Sequence, residues 1–375
     1  APGGPFHLYF LKMAPGLLQK VDFWANTVNC SLIGASDSCC RLRLWLMNEE
    51  TSSSIGTANA AVMACLAEHY GITGSLRRLP GENLNFLIES ENGLRYVAKI
   101  VDEHMPPAVV AMEHAAIEHA VSTAFPLRLP RIIPNSNKKI ETCIKLPISG
   151  FDRLRIMDFI AGTILEDMSD ISADLLKSIG ISVARFNLSM LVFELPAASR
   201  NHRWNLARTD QHRDRIALVG DMEKRALLTW AFDVRETVQT RLDSLPQQFI
   251  HGDLNRENIL VDGDVVTGLL DFGDCCLNPT VCDLAICLTY LMMDRDDPLE
   301  TAAIVTDAYH DTRPLSDAER AVLFALICGR LATTIVIAES RRSLDPQHPH
   351  WFSAQGSAWE LLGRLRMVAK DQPLL

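Results

Sequence analysis

The sequence predicts an α+β protein of two lobes, a small N-terminal one with an antiparallel sheet and a helix and a larger one that is mostly helical. Three observations predict it. The chain has 375 residues, whereas single hydrophobic cores stop growing at roughly 250–300 residues. Short β-like runs with hairpin signals cluster between residues 74 and 101. Beyond residue 162 the apolar residues recur at helical spacing over long stretches.

Taken in order, residues 1–46 show no sustained period and begin with Ala1. They are expected to be an extension, non-native or disordered, with the functional protein opening at Met47. "MNEETSSSIGTANAAVMACLAEHYGITG" reads as a polar lead into a helix that ends at Gly71. "SLRRLP" and "NFLIES" read as strands flanking the loop "GEN". Asn92-Gly93 then makes a tight turn into the strand "LRYVAKI", both residues supplying φ > 0. Pro106-Pro107 opens a helix over about 108–122, since proline suits a first turn. "RLRIMDFIAG" is a further strand and completes an N-lobe over 47–161. The C-lobe, 162–375, carries helices near 172–191, 220–243, 280–293, 298–310, 316–340 and 352–369.

Composition excludes several classes. Hydrophobic residues make up 48% and charged residues 22%, the balance of an ordinary globular protein. The net charge is −10 with no polybasic run, so neither nucleic acid nor an anionic membrane is expected as a partner. The longest apolar stretch, Ala321–Ala338, holds Arg330 at its middle and reads as a core helix. Ten scattered cysteines without a C-x-x-C pair point to reduced thiols and a cytoplasmic location rather than a zinc site.

The chemistry concentrates in "FIHGDLNRENILVDGDVVTGLLDFGD", Phe249 to Asp274. "ILV" and "VVTGLL" are β-like runs joined at "DGD", a hairpin signal. Asn258 stands just before the first run and Asp271 just after the second, so folding at Asp262-Gly263 brings them together. An amide oxygen with a carboxylate suits Mg²⁺, which takes its remaining ligands from water and substrate phosphates. Asp253, in the preceding loop, is free to approach an acceptor hydroxyl. The order His251-x-Asp253-x-x-x-x-Asn258, then Asp271-Phe272-Gly273, has the catalytic-loop and metal-loop spacing of protein kinases.

That reading demands a strand lysine and a helical glutamate upstream. "YVAKI" offers Lys99, with Val97 on the same strand face to roof the base. Glu113 sits among Val109, Val110, Ala116, Ile117 and Ala120 at helical spacing, so its buried carboxylate needs a partner. It is expected to pair with Lys99 in preference to Glu118. The loop "PGENLNF", including Asn85, occupies the place of a phosphate-covering loop but lacks a G-x-G-x-x-G pattern. No P-loop, H-E-x-x-H or G-x-S-x-G motif is present.

These residues resemble the aminoglycoside phosphotransferase and choline kinase family, a branch of the protein-kinase-like fold. "YVAKI", "RIMDFIAG", "HRWNLAR", "HGDLNRENIL", "GLLDFGD" and "ALICGRLATTIVIA" follow in the family's order, over roughly Ala60 to Arg364, and are most similar to its hydroxylysine-phosphorylating branch. The resemblance implies a bilobal kinase-like fold. It makes Asp253 the catalytic aspartate that orients and deprotonates the acceptor, and Asn258 and Asp271 the Mg²⁺ ligands. Lys99 falls on the α- and β-phosphates, with Glu113 as its ion-pair partner. The strand exit at Asp158, Phe159 and Ile160 matches the hinge whose backbone holds a purine, so ATP or GTP is the expected donor. Asn255 stands where protein kinases place a phosphate-contacting lysine. Trp204, Asn205 and Asn255 are candidates for acceptor binding, whereas His251 and Asp283 are expected to hold the loop.

The expected acceptor is a small hydroxylated amine, an amino-alcohol or hydroxy-amino acid, with 5-hydroxylysine favoured. The arginines of "NHRWNLARTDQHRDR" favour an acceptor with a carboxylate over a polycation. Aminoglycoside, choline or homoserine is the alternative acceptor, and a nucleotide-binding regulatory pseudokinase is the alternative class.

Overall fold

A computed structural model describes residues 52–79, 84–101, 105–146, 150–346 and 351–371. The extension expected at 1–46 and the loop "GEN" lie outside the described residues. Ile55–Leu375 gather into one compact unit.

The first helix, α1 (Ser52–Tyr70), stops at Gly71, whose φ of +64° only glycine adopts readily. Its spacing of Ala58, Val62, Cys65 and Leu66 makes one apolar stripe. That stripe packs on the sheet formed by β1 (Gly74–Arg78), β2 (Asn85–Ser90), β3 (Arg95–Val101), β4 (Ile132–Ile133), β5 (Thr142–Leu146) and β6 (Gly150–Asp158). All pairs are antiparallel, in the order β1-β2-β3-β6-β4, with β5 also on β6. Because strand side chains alternate, Phe86, Ala98 and Ile156 face α1, and their strand neighbours Asn85, Lys99 and Arg155 share the opposite face. Register thus places three polar side chains in one row.

The β2–β3 turn differs from the expected form. Ser90 donates its amide to Leu94 O and Gly93 its amide to Ser90 O, closing a three-residue loop in which only Gly93, at +82°, has positive φ. Helix α2 (Pro107–Ser122) follows, with Glu113 buried among apolar neighbours as its spacing predicts.

After the two-residue strand β7 (Thr163–Ile164) come α3 (Ala173–Ser189), α4 (Met222–Thr237) and α5 (Gln239–Ser244). The helix expected over 220–243 breaks at Val238. Next are β8 (Gln247–Ile250), β9 (Ile259–Asp262), β10 (Val265–Leu269) and β11 (Cys276–Pro279). The last helices are α6 (Val281–Met292), α7 (Pro298–Thr312), α8 (Asp317–Arg341) and α9 (Gln355–Asp371). The predicted hairpin is present: Asp262 pairs with Val265 and Ile259 with Leu269, and Gly263 takes φ +55° at the turn. Among the described residues α8 alone is long and apolar enough to cross a membrane, and 83% of that window is buried inside the fold. Ser316 and Glu319 close a capping box at its start.

Helices α3 and α7 approach closely at Gly180. A Cβ added there would lie 2.4 Å from Val305 O. Gly180→Val is expected to lower stability by about 2 kcal/mol through overpacking, read by urea unfolding. An unchanged midpoint would show that the helices can separate freely.

Candidate active site

The loop between β8 and β9 carries Asp253, and its path is fixed by buried polar groups. Asp283, fully buried in the first turn of α6, accepts the amides of His251 (3.0 Å) and Gly252 (2.8 Å). Asn187 Nδ2 donates to the same carboxylate at 2.7 Å, and the Tyr309 hydroxyl donates to Asn187 Oδ1. Burial pushes the Asp283 carboxyl up to about 6, against the donors that favour its charged form. His251 Nε2 donates to Leu270 O at 3.0 Å, tying the loop to the end of β10, and Nδ1 accepts the Asp253 amide. Its ring packs with those of Phe186 and Phe272 in a cluster of three, and burial pushes it down to about 4, so it stays neutral. His251 and Asp283 therefore hold the loop, as the sequence predicts. Gly252 has φ +81°, and an added Cβ would stand 2.3 Å from Asp274 O; only glycine lets the two loops approach so closely.

The hairpin brings the candidate metal ligands together. Leu270 donates its amide to Asn258 O at 2.8 Å, so Asn258 and Asp271 flank the paired ends of β9 and β10. Asn258 spends Nδ2 on Asp253 O (2.8 Å) and Asp253 Oδ2 (3.1 Å), which leaves its amide oxygen for a cation. Asp271 is held in the left-handed region at φ +54° and accepts the Gly273 amide on Oδ1. Asp271 Oδ2 has no partner among the described residues. One amide oxygen and one carboxylate oxygen fit a hard cation such as Mg²⁺ that keeps further oxygen ligands from phosphate and water.

The lysine makes a different pair from the expected one. Lys99 Nζ donates to Asp271 Oδ1 at 2.8 Å and holds that carboxyl down to about 2. Glu113 pairs instead with Arg155, both side chains at least 95% buried. The reason is register: Arg155 is the β6 residue directly opposite Lys99, and its longer guanidinium reaches the helix while Lys99 turns to the metal loop. Glu118 is half-buried and bound by Arg131.

Other expected residues fall variously. Asn85 lies beside Lys99 on β2, with Oδ1 buried and without a hydrogen-bond partner among the described residues. Val97 shares the Lys99 face, two residues away, opposite Met157. At the strand exit the Asp158 amide donates to Arg131 O and the Phe159 amide to Arg95 O, whereas the Ile160 amide has no acceptor among the described residues. The Phe159 ring lies under the Arg95 guanidinium at 4.1 Å.

The acceptor candidates have partners within the protein. Asn205 Oδ1 is occupied by the Ala207 amide, capping the turn that follows, and by Asn278 Nδ2. Asn255 caps residues 256–258 through Oδ1 and donates Nδ2 to Asp253 Oδ2. Trp204 is half-buried, its ring 4.8 Å from the Arg330 guanidinium. Two of the arginines expected to favour a carboxylate are also engaged, Arg213 with Asp233 and Glu236, and Arg215 with Ser340.

Arg330 is the residue sequence reasoning did not place in the site. It lies 1% exposed in α8 and donates Nη2 to Asp253 Oδ1 at 2.8 Å. A lone arginine within an apolar helix was the signal, because a buried guanidinium requires an anion. Burial pushes the Asp253 carboxyl up to about 7, against Arg330, which favours its ionised form. Asp253, Asn258, Asp271 and Lys99 together form a cluster able to hold a cation, a phosphate chain and a hydroxyl side by side.

The family model described as "Phosphotransferase enzyme family" matches residues 75–320. Hydroxylysine kinase of Mus musculus is 27% identical over 227 residues, 56% of this chain and 60% of the mouse protein. The chain thus spans three fifths of that relative's length. Homoserine kinase of Methylobacillus flagellatus is 28% identical over 246 residues, 64% of this chain and 70% of that protein. The solved amicoumacin kinase hAmiN, in complex with AMP-PNP, Ca²⁺ and Ami, superposes with a TM-score of 0.63 at 14% identity, over 83% of this chain and 96% of that one. The fold is protein-kinase-like.

The buried Glu113–Arg155 pair makes a stability prediction. Arg155→Met leaves Glu113 buried and unpaired and is expected to cost about 3–5 kcal/mol, whereas adding Glu113→Met recovers most of the loss. Equal urea midpoints for the single and double variants would show that the pair is not coupled.

Proposed function

The chain belongs to the phosphotransferase enzyme family, and from that membership we propose that it moves the γ-phosphoryl group of ATP or GTP to a hydroxyl of a small hydroxy-amino acid or amino-alcohol. The observation that carries this reading is the meeting of Asp253, Asn258 and Asp271 at the hairpin, with Lys99 on Asp271. An intact set of this kind speaks against a regulatory pseudokinase.

Phosphoryl transfer asks for positioning and charge neutralisation more than for covalent chemistry by the protein. Asn258 and Asp271 would hold Mg²⁺, which when bound neutralises charge spread over the transferring phosphate. Lys99 exchanges Asp271 for the α- and β-phosphate oxygens. Ile160, at the strand exit, offers its amide to the purine. Asp253 accepts the proton of the acceptor hydroxyl as that oxygen bonds to the γ-phosphorus and the bond to the nucleoside diphosphate breaks. The products are a phosphate monoester and the diphosphate.

Hydroxylysine is the favoured acceptor, since the mouse relative is a hydroxylysine kinase. Homoserine is a second reading, since the Methylobacillus relative is a homoserine kinase. Both are hydroxylated amino acids, so the class is common to the two. A cytoplasmic location accompanies the proposal and agrees with the free cysteines among the described residues.

The test is turnover on hydroxylysine, homoserine, choline and an aminoglycoside, with ATP and GTP in parallel. Phosphorylation of a hydroxy-amino acid that is lost in Asp253→Ala and Asp271→Ala is expected, with both variants folded. Near wild-type turnover of either variant contradicts the assignment. The base must be ionised to accept a proton, so kcat falls as pH drops, with an acid limb well above the ordinary carboxylate value of about 4. A kcat profile flat down to pH 5 would remove Asp253 from that role.

A further inference from the structure

We infer that Arg330 is a positioning residue for phosphotransfer, fixing the Asp253 carboxylate from inside the protein; this rests on the reading of Asp253 as the acid that faces the acceptor. The guanidinium is clamped on every side. Nη2 donates to Asp253 Oδ1 (2.8 Å), Nη1 to Trp204 O (3.2 Å) and Nε to the Tyr290 hydroxyl (3.2 Å). The rings of Trp204 and Tyr290 lie 4.8 and 5.4 Å from it. Four elements therefore meet at one side chain: α8, α6, the turn before residue 206 and the catalytic loop.

The two oxygens of Asp253 are held from different directions. Oδ1 takes Arg330, while Oδ2 takes the amides of Asn255 and Asn258. A carboxylate gripped on one edge only would rotate about its last torsion, which has a broad minimum. Arg330 removes that freedom. Its side chain is 2% exposed whereas that of Asp253 is 22% exposed, so an acceptor reaches the acid and not the arginine. Arg330 acts through Asp253.

The apolar setting sharpens the requirement. Around Arg330 in α8 stand Ile327, Leu331 and Thr334, all buried, so the helix offers the guanidinium no water. A charge in such a place is tolerated when it is paired and hydrogen-bonded, and here the pairing partner is Asp253. Lysine would keep the charge but lose the planar fork that reaches three acceptors at once.

Arg330→Met, Arg330→Lys and Asp253→Asn are compared with the wild type on the accepted substrate. Arg330→Met is expected to lower kcat about 100-fold with the nucleotide KM unchanged, the size expected for a displaced reactive group. Arg330→Lys falls between it and the wild type. In the Asp253→Asn background, Arg330→Met adds no further loss, because the two act as one unit. A folded Arg330→Met or Arg330→Lys protein with wild-type kcat overturns the inference, as does full additivity. Should Arg330→Met fail to fold, Arg330→Lys decides by the same criterion. A crystal structure of the variant gives a readout independent of turnover: an Asp253 carboxylate turned away from its wild-type position supports the inference, and an unmoved one overturns it. No turnover by the wild type on any acceptor would sink the proposed function, and the crystallographic comparison would still decide the role of Arg330.

Discussion

The Asp283 carboxylate holds up the catalytic loop by accepting two successive backbone amides, those of His251 and Gly252, where no water reaches. Backbone donors buried without an acceptor are costly, and one carboxylate settles both. Asn187 and Tyr309 continue the network into α3 and α7, so the loop is referenced to the helical core rather than to its own flanking strands. From that anchor His251 reaches across to Leu270 O, and the two loops that carry Asp253 and Asp271 take one fixed relation. Gly252 permits the close approach that this relation needs.

Charge is arranged around the anchored loop in two rows. On the sheet side, Lys99 and Arg155 are cross-strand neighbours and divide two acids between them, Asp271 and Glu113. On the helical side, Arg330 takes Asp253. The division has a functional sense within the proposed reaction. Glu113–Arg155 is at least 95% buried and serves the fold, whereas Lys99–Asp271 is partly exposed and is the pair that phosphate and cation would separate.

Much of this was legible in the sequence where the chemistry is local. The β-like runs on either side of Asp262-Gly263-Asp264 signalled the hairpin, and a hairpin brings its flanking residues together whatever the rest of the chain does. The buried position of Glu113 followed from the spacing of its apolar neighbours. Its partner did not, because the choice between Lys99 and Arg155 depends on the pairing of strands more than fifty residues apart. Asn205 and Asn255 are residue types of helix caps as much as of ligands, and both cap the turn that follows them. Arg330 interrupts an apolar run, and the partner it requires lies 77 positions away in the chain. The short strands β7, β8 and β11 have too few residues to show alternation.

The central claim is that the hairpin ends form one cation site shared by an amide and a carboxylate, next to a lysine that trades its acid for phosphate. Crystals grown with Mn²⁺ and a non-hydrolysable nucleotide test it most directly, by anomalous scattering. The account predicts a manganese peak bridging Asn258 Oδ1, Asp271 and the phosphates, with Lys99 Nζ moved from Asp271 to a phosphate oxygen. A metal bound elsewhere, with Lys99 still on Asp271, would contradict it.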